Sequence, residues 1–287
     1  MNKREDVKKT YKLYIGGKFP RTESGRYFKW TDPKNSTVVN MCRGSRKDFR
    51  NAVVSARSAF SGWRSKTAYN RSQILYRIGE MLEGRRGQFM DELILQGASK
   101  KEAENEINQS IDRLIYYAGW ADKYQQVFSR VNPVASSYFN FSYPEPTGVV
   151  SAIAPDEPSL IGLVSIVAPI IAGGNTVVVL ASEAKPLCSI TFAEVLQTSD
   201  VPGGVVNILT GYRSELLEHF SSHMDVNAIV YCGNVKEEIK FVQENAALNV
   251  KRPIVYTDEN WLDKKVQDPY RILNTLEIKT TWHPVGI

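Results

Sequence analysis

The spacing of hydrophobic positions changes character along this chain. From about Ser45 to Ser129 they recur every three or four residues. Phe49, Val53, Ala56 and Phe60 share one face; so do Ile74, Leu75, Ile78 and Leu82, and again Ile107, Ile111, Leu114 and Tyr117. That period predicts amphipathic helices turned toward a common core, with their aromatics as packing and not as a cofactor box. From residue 148 the pattern becomes short, continuously apolar runs: GVVSAIAP, TVVVLAS, VVNILTG, NAIVYCG and RPIVYT. Helical stretches separate them: SLIGLVSIVAPIIA, Pro186 to about Thr198, SELLEHFSSH and VKEEIKFVQENAAL. Apolar strands alternating with helices predict a parallel sheet covered on both faces, with Gly211 and Gly233 closing strands. The fold class is therefore α/β, a Rossmann-like doubly wound sheet behind an N-terminal helical layer. YKLYIGGKF and RYFKWTDP read as two short strands around the Gly16-Gly17 turn. Between Pro133 and Pro146, VASSYFNFSYPEP alternates and then stops at prolines, which predicts an exposed or edge hairpin strand.

One run tests the soluble reading. Pro158 to Ser182 carries no charge and is long enough to span a bilayer. Pro169 and the Gly173-Gly174-Asn175 turn break it, and a β-branched burst from Thr176 follows, so a buried helix and a buried strand are expected and no membrane span. The 36 Lys and Arg exceed the 31 Asp and Glu by five. Nine bases and three acids fall in the first 30 residues, so the surplus belongs to a basic N-terminal arm. No arginine-rich helix follows, and no nucleic-acid partner is expected. The charged start MNKREDVKKTYKLY lacks the apolar run of a signal peptide. With Cys42, Cys188 and Cys232 scattered and unpaired by spacing, the expected compartment is the cytoplasm.

Candidate chemistry is sparse. Asp156 and Glu157 stand side by side where the first apolar strand ends, the place where α/β proteins seat ligands. A general acid/base pair needs two distinct environments, so a helix cap or a solvent-facing pair is the preferred reading. Cys232 sits before Gly233 near a helix start, where a thiol is sometimes activated, but a small buried residue fits that position better. His219 and His223 lie one helical turn apart with no third ligand in view, so no metal site is assigned. Lys251 and Arg252 are expected at a surface or interface. No G-x-G-x-x-G follows the first strand.

The motifs IGGKF, FSGWRSKTAYNRSQILYRIGEML, PTGVVSAIAP, APIIAGGNTVVVLASE, VPGGVVNILTG and IVYCGN, in this order, closely resemble the aldehyde dehydrogenase superfamily across most of residues 11 to 257. APDEPSLIGLVSIVAP with the short tail is most similar to the second, degenerate domain of the two-domain aldehyde dehydrogenase family 16. The resemblance implies a layout. Residues 1–132 are strands and the helical layer of a cofactor-type domain, 133–147 an oligomerisation strand and 148–258 the Rossmann-like core. Residues 259–273 form a linker in place of an excised catalytic domain, and 274–287 a terminal oligomerisation strand. Leu276 to Trp282 is expected to pair near Ser137 to Ser142.

Aldehyde oxidation needs a thiolate nucleophile, an oxyanion donor, a held hydride acceptor and a deacylating base. The resemblance places Glu157 where the family has the donating Asn. A carboxylate there opposes developing negative charge by roughly 4 kcal/mol at 4 Å and an effective dielectric near 20. The cofactor-gripping Lys becomes Leu180, with Glu183 retained for ribose hydroxyls. In the next contact Gly233 persists, but the Ser becomes Asn234. Gly204 is kept as a further vestige. The base position holds Tyr256, whose phenol is a poor base at neutral pH, and no Cys follows Cys232.

The implied reading is a non-catalytic pseudoenzyme with no cofactor beyond weak residual NAD(P) binding. It works as a homo- or hetero-oligomer with aldehyde dehydrogenase-like subunits, through the helix from Val235 to Leu248 and through Tyr138, Phe139, Asn140, Phe141, Ile278, Thr280 and Trp282. The alternative is a dinucleotide-binding regulatory sensor without turnover. An enzyme built on Asp156, Glu157 and Tyr256 is placed last.

Overall fold

A computed structural model describes residues 9–32 and 37–286. The first eight residues of the basic arm lie outside them. The helical layer forms where the spacing predicts it: α1 (Arg46–Arg64), α2 (Ala68–Gly84), α3 (Arg86–Leu95), α4 (Lys100–Trp120) and α5 (Tyr124–Phe128). Ser45 and Ser99 open α1 and α4 with capping boxes completed by Asp48 and Glu102. Each box satisfies otherwise orphaned backbone N–H groups and contributes about 1 kcal/mol.

The N-terminal strands differ from expectation. RYFKWTDP supplies β1 (Tyr27–Thr31), which pairs antiparallel with β2 (Val38–Cys42), a strand the hydrophobic pattern alone did not single out. YKLYIGG forms no ladder of its own. Tyr14 instead bridges Ile208, with N–H to carbonyl distances of 2.9 and 2.8 Å in the two directions, and so covers an edge of the main sheet.

That sheet is built from β5 (Val149–Ile153), β6 (Thr176–Leu180), β7 (Val206–Leu209), β8 (Ala228–Cys232) and β9 (Arg252–Tyr256). They are parallel, in the order β7-β6-β5-β8-β9. The helices α6 (Ser159–Ala172), α7 (Leu187–Gln197), α8 (Arg213–Ser222) and α9 (Lys236–Ala247) cross between consecutive strands. Side chains alternate along each strand. Val150, Ala152, Val177 and Val179 face the core beneath α2, α4, α6 and α7. Val149, Ile153, Val178 and Leu180 face Phe49 and Val53 of α1 and Phe220 of α8. Apolar side chains on both faces explain why these strands read as unbroken hydrophobic runs. Pro158 to Ser182 is thus α6 and β6, and among the described residues no helix is long and apolar enough to cross a membrane.

A second, antiparallel sheet stands apart in the order β10-β4-β3, from β3 (Arg130–Asn132), β4 (Tyr138–Pro146) and β10 (Leu276–Pro284). Leu276 faces Pro146 and Trp282 faces Asn140. β4 is therefore the central strand and not an edge; β3 and β10 carry the edges. Asn140 is 2 % exposed and accepts an Nδ2 hydrogen bond from Asn132 at 2.6 Å, so it holds the sheet together and offers no contact surface. Tyr138, Phe139, Ile278, Thr280 and Trp282 are exposed, and Phe141 is half-buried in a ladder with Phe139 and Tyr143.

Lys251 also departs from expectation. It is buried, and its Nζ donates to the carbonyls of Ser221 (2.6 Å) and His223 (3.1 Å), closing the end of α8. Burial pulls its pKa down to about 8. Arg252 is exposed, and its guanidinium reaches back to the carbonyls of Asn274 and Leu276.

Candidate functional site

The strand order reverses between β5 and β8: the chain goes outward from β5 through β6 to β7, then returns to β8 on the other side. The crevice beyond the carboxyl ends of β5 and β8 is where a doubly wound sheet seats a ligand. Here a cleft of about 300 Å³ brings together Glu157, Gly233, Asn234 and Tyr256 with Asp156, Arg213, Cys232 and Trp261. An adjoining cleft of about 630 Å³ holds Glu183 and shares Asp156 and Arg213. Five of the seven positions singled out for the cofactor and its chemistry therefore converge on one end of the sheet.

Leu180 and Gly204 line neither cleft. Leu180 is the buried last residue of β6, packed with Val178 and Leu209 on the α1 side of the sheet. Gly204 precedes β7, so it lies toward the opposite end from Glu183 and Gly233. Its φ of +94° and the Ser55 carbonyl, 2.6 Å from where a Cβ would be, make it a packing glycine against α1.

Arg213, which sequence reasoning missed, sits between the two clefts. Its guanidinium is ion-paired to Asp156 (2.9 Å) and Glu238 (3.5 Å) and lies 6.0 Å from the centre of the Tyr231 ring. Tyr231 Oη in turn donates to Glu238 at 2.5 Å. Burial opposes the charge on Arg213, but Asp156 and Glu238 outweigh it and raise its pKa. Asp156 is thus one arm of a structural network and also accepts from the Glu183 N–H at 3.3 Å. Glu157 turns outward, 61 % exposed, to Lys185 at 2.9 Å. Neither acid caps α6.

That role falls to Glu106, on α4. Its Oε1 accepts from the N–H groups of Leu160 (2.7 Å) and Ile161 (3.2 Å), the first turn of the helix after β5. The positive helix end that would attract an anion already holds an internal carboxylate. Burial raises the Glu106 pKa, and the two amide bonds oppose that rise. The start of α9 is no better placed for phosphate, since Glu237 and Glu238 occupy its first turn. Glu183 is exposed but accepts from the Arg213 N–H at 2.9 Å, capping α8. Asn234 exchanges hydrogen bonds with Asp258, including Asp258 N–H to Oδ1 at 2.9 Å, and ties down the turn after β9.

Tyr256 is covered by the segment that follows it. The ring lies 4.2 Å from the Arg271 guanidinium and edge-on to Trp261, and its hydroxyl accepts from Asn274 at 3.0 Å. Burial pushes its phenol above the ordinary value, away from service as a base. Cys232 is fully buried among apolar groups, which pushes its thiol well up, so it is not a thiolate at neutral pH. Residues 259–273 are no open linker. Trp261, Val266 and Ile272 are buried, with α10 (Tyr270–Leu273) docked against the rest. Among the described residues no group of His, Cys, Asp and Glu is arranged to hold a metal, and His223 packs edge-on to Phe49.

The missed residues left one legible signal. Glu106, Ser110 and Arg113 form a polar line beside Ala103, Ile107 and Leu114 on the buried side of α4, and polar groups there must find internal partners.

The aldehyde dehydrogenase family model matches residues 19–257. A putative aldehyde dehydrogenase, DhaS, of Bacillus subtilis is 31% identical over 248 residues, which are 85% of this chain and 49% of that protein. Human aldehyde dehydrogenase 1A1 is 32% identical over 263 residues, 86% of this chain and 50% of its own. Among solved structures, an NAD+ complex of a Bacillus cereus aldehyde dehydrogenase superposes with a TM-score of 0.82 at 25% identity, covering 87% of this chain and 51% of that one. The chain thus spans about half the length of the relatives it matches.

Proposed function

This chain belongs to the aldehyde dehydrogenase family, and on that premise we propose that it is a non-catalytic member that works by assembly. It pairs through its protruding sheet with a second copy or with a catalytically competent aldehyde dehydrogenase-like subunit. The observation that carries the reading is Arg213, ion-paired to Asp156 and Glu238 in the switch-point crevice. The protein's own paired charges line the space a dinucleotide would enter. The groups around it do no family chemistry: Glu157 points to solvent, Tyr256 is a covered phenol and Cys232 a buried thiol. The exposed aromatics of β4 and β10 supply an apolar surface at the other end of the molecule. Similarity to the degenerate domain of family 16 belongs to the same proposal, supported by the Pro155 to Ser159 substitutions and the short path from β9 to β10. So does a cytoplasmic setting, supported by three unpaired cysteines.

Purified protein is expected to oxidise no aldehyde with NAD or NADP, and its intact mass to correspond to an assembly. Turnover above a protein-free blank, or a stable monomer at micromolar concentration, overturns the reading.

A second reading, a dinucleotide sensor without turnover, is favoured by the exposed carboxylate of Glu183 at the mouth of the 630 Å³ cleft. Calorimetry separates the two. Saturable heat with NAD or NADP supports the sensor; a flat titration supports the scaffold.

A further inference from the structure

Two buried cations meet beneath the segment that follows β9. Arg113 of α4 is 1 % exposed and Arg271 of α10 is 8 % exposed. Arg113 donates to Ser165 Oγ (2.7 Å), the Trp261 carbonyl (3.1 Å) and the Asp263 carbonyl (3.4 Å), all of them neutral. Arg271 pairs with Glu259 at 3.0 Å, donates from Nε to the Val266 carbonyl at 3.1 Å, and lies 5.1 Å from the centre of the Trp261 ring. Both guanidiniums thus grip the same tryptophan, one through its carbonyl and one through its ring.

Two positive charges share one carboxylate, and Glu259 is itself 28% exposed. Burial lowers the Arg113 pKa, and repulsion from Arg271 lowers it further. The nearby phenols give no relief: burial holds Tyr117 and Tyr256 in their neutral forms. Each arginine also keeps one buried N–H without an acceptor, Nε of Arg113 and Nη1 of Arg271. Buried donors are almost always satisfied, and a charged donor left bare is the most costly kind.

We propose that a small monovalent anion of chloride size binds under this cap, accepting from Arg113 Nε and Arg271 Nη1 and cancelling the unpaired charge. A single water would satisfy the donors but leave the charge uncompensated. Gluconate, a bulky organic anion, serves as the control.

The test compares thermal unfolding of the whole protein in sodium chloride, sodium bromide and sodium gluconate at equal ionic strength. Halide is expected to raise the midpoint saturably, by roughly 2–4 °C for each kcal/mol of binding linkage. Gluconate is the more stabilising salt through its effect on solvent alone, so a gain specific to halide has the opposite sign to that background. Arg271→Met removes one charge and one donor, and only the solvent background is expected to remain, with gluconate giving the highest midpoint. If that variant does not fold, bromide-soaked crystals of the native protein decide, through an anomalous peak within hydrogen-bonding distance of both nitrogens. A halide-to-gluconate difference in the native protein equal to that in Arg271→Met, or water at that position in bromide, overturns the proposal.

Discussion

The five-stranded and three-stranded sheets of this molecule are made of the same element in opposite surroundings. Every residue of β5, β6, β7 and β8 is buried. Along β10, only Leu276 is buried, and Ile278 and Trp282 remain 53 % and 57 % exposed. In the five-stranded sheet the side chains of β5, β6, β7 and β8 answer to packing on both faces. In the three-stranded sheet a polar line of Asn132, Asn140, Ser142 and Thr280 holds the strands together, with Ser142 and Thr280 hydroxyls 2.8 Å apart. Its aromatics Tyr138, Phe139 and Trp282 remain exposed. The first sheet therefore reports stability, and the second carries the association proposed above.

The sharpest way to break this comparison is to charge the core sheet. Val178→Asp places an unpaired carboxylate between α1 and the central strands, where Val178 is 0 % exposed. A loss above about 4 kcal/mol is expected, read as a collapsed urea midpoint or no soluble protein. Phe139→Ser with Trp282→Ser should leave the urea midpoint of the separated subunit within about 1 kcal/mol of native. The same pair should weaken assembly at least tenfold, about 1.4 kcal/mol, by sedimentation. Equal association before and after would dissolve the contrast.

A smaller effect asks how far the packing rule reaches toward the rim, where α8 and α9 end. Lys251 is held near pKa 8 in the folded chain and returns to about 10.4 when unfolded. Below pH 8 both states carry the proton. Between those values the unfolded chain binds it and the folded chain does not, so stability rises with pH, by at most about 1.4 kcal/mol per unit. Lys251→Met is expected to flatten the rise between urea midpoints at pH 8 and pH 9.5. The smallest change lies next door. Val250 closes α9 in the left-handed region at φ 57° with its side chain 95 % exposed. Val250→Gly removes that strain and should gain about 0.5–1 kcal/mol, read as a small rise in unfolding temperature.

The sequence made the core legible because burial on two faces leaves an unmistakable apolar run, and all five parallel strands lie where those runs fall. It made β4 look like an edge, because its prolines interrupt a ladder locally while the order of strands is decided by the distant β10. The candidate site was half legible. Motif positions located the loops at the ends of β5, β8 and β9, but what fills them comes from elsewhere in the chain. Arg213 reads as an ordinary helix start, and its partner Glu238 as an ordinary first-turn acid. Arg271 falls in a stretch with no periodicity at all. Their meaning arises only when the fold sets them around one crevice.

Glu106 also makes the present state hard to leave. Its carboxylate is seated on the first amides of α6, 54 residues further along the chain. An anionic ligand aimed at those amides would first have to displace that carboxylate.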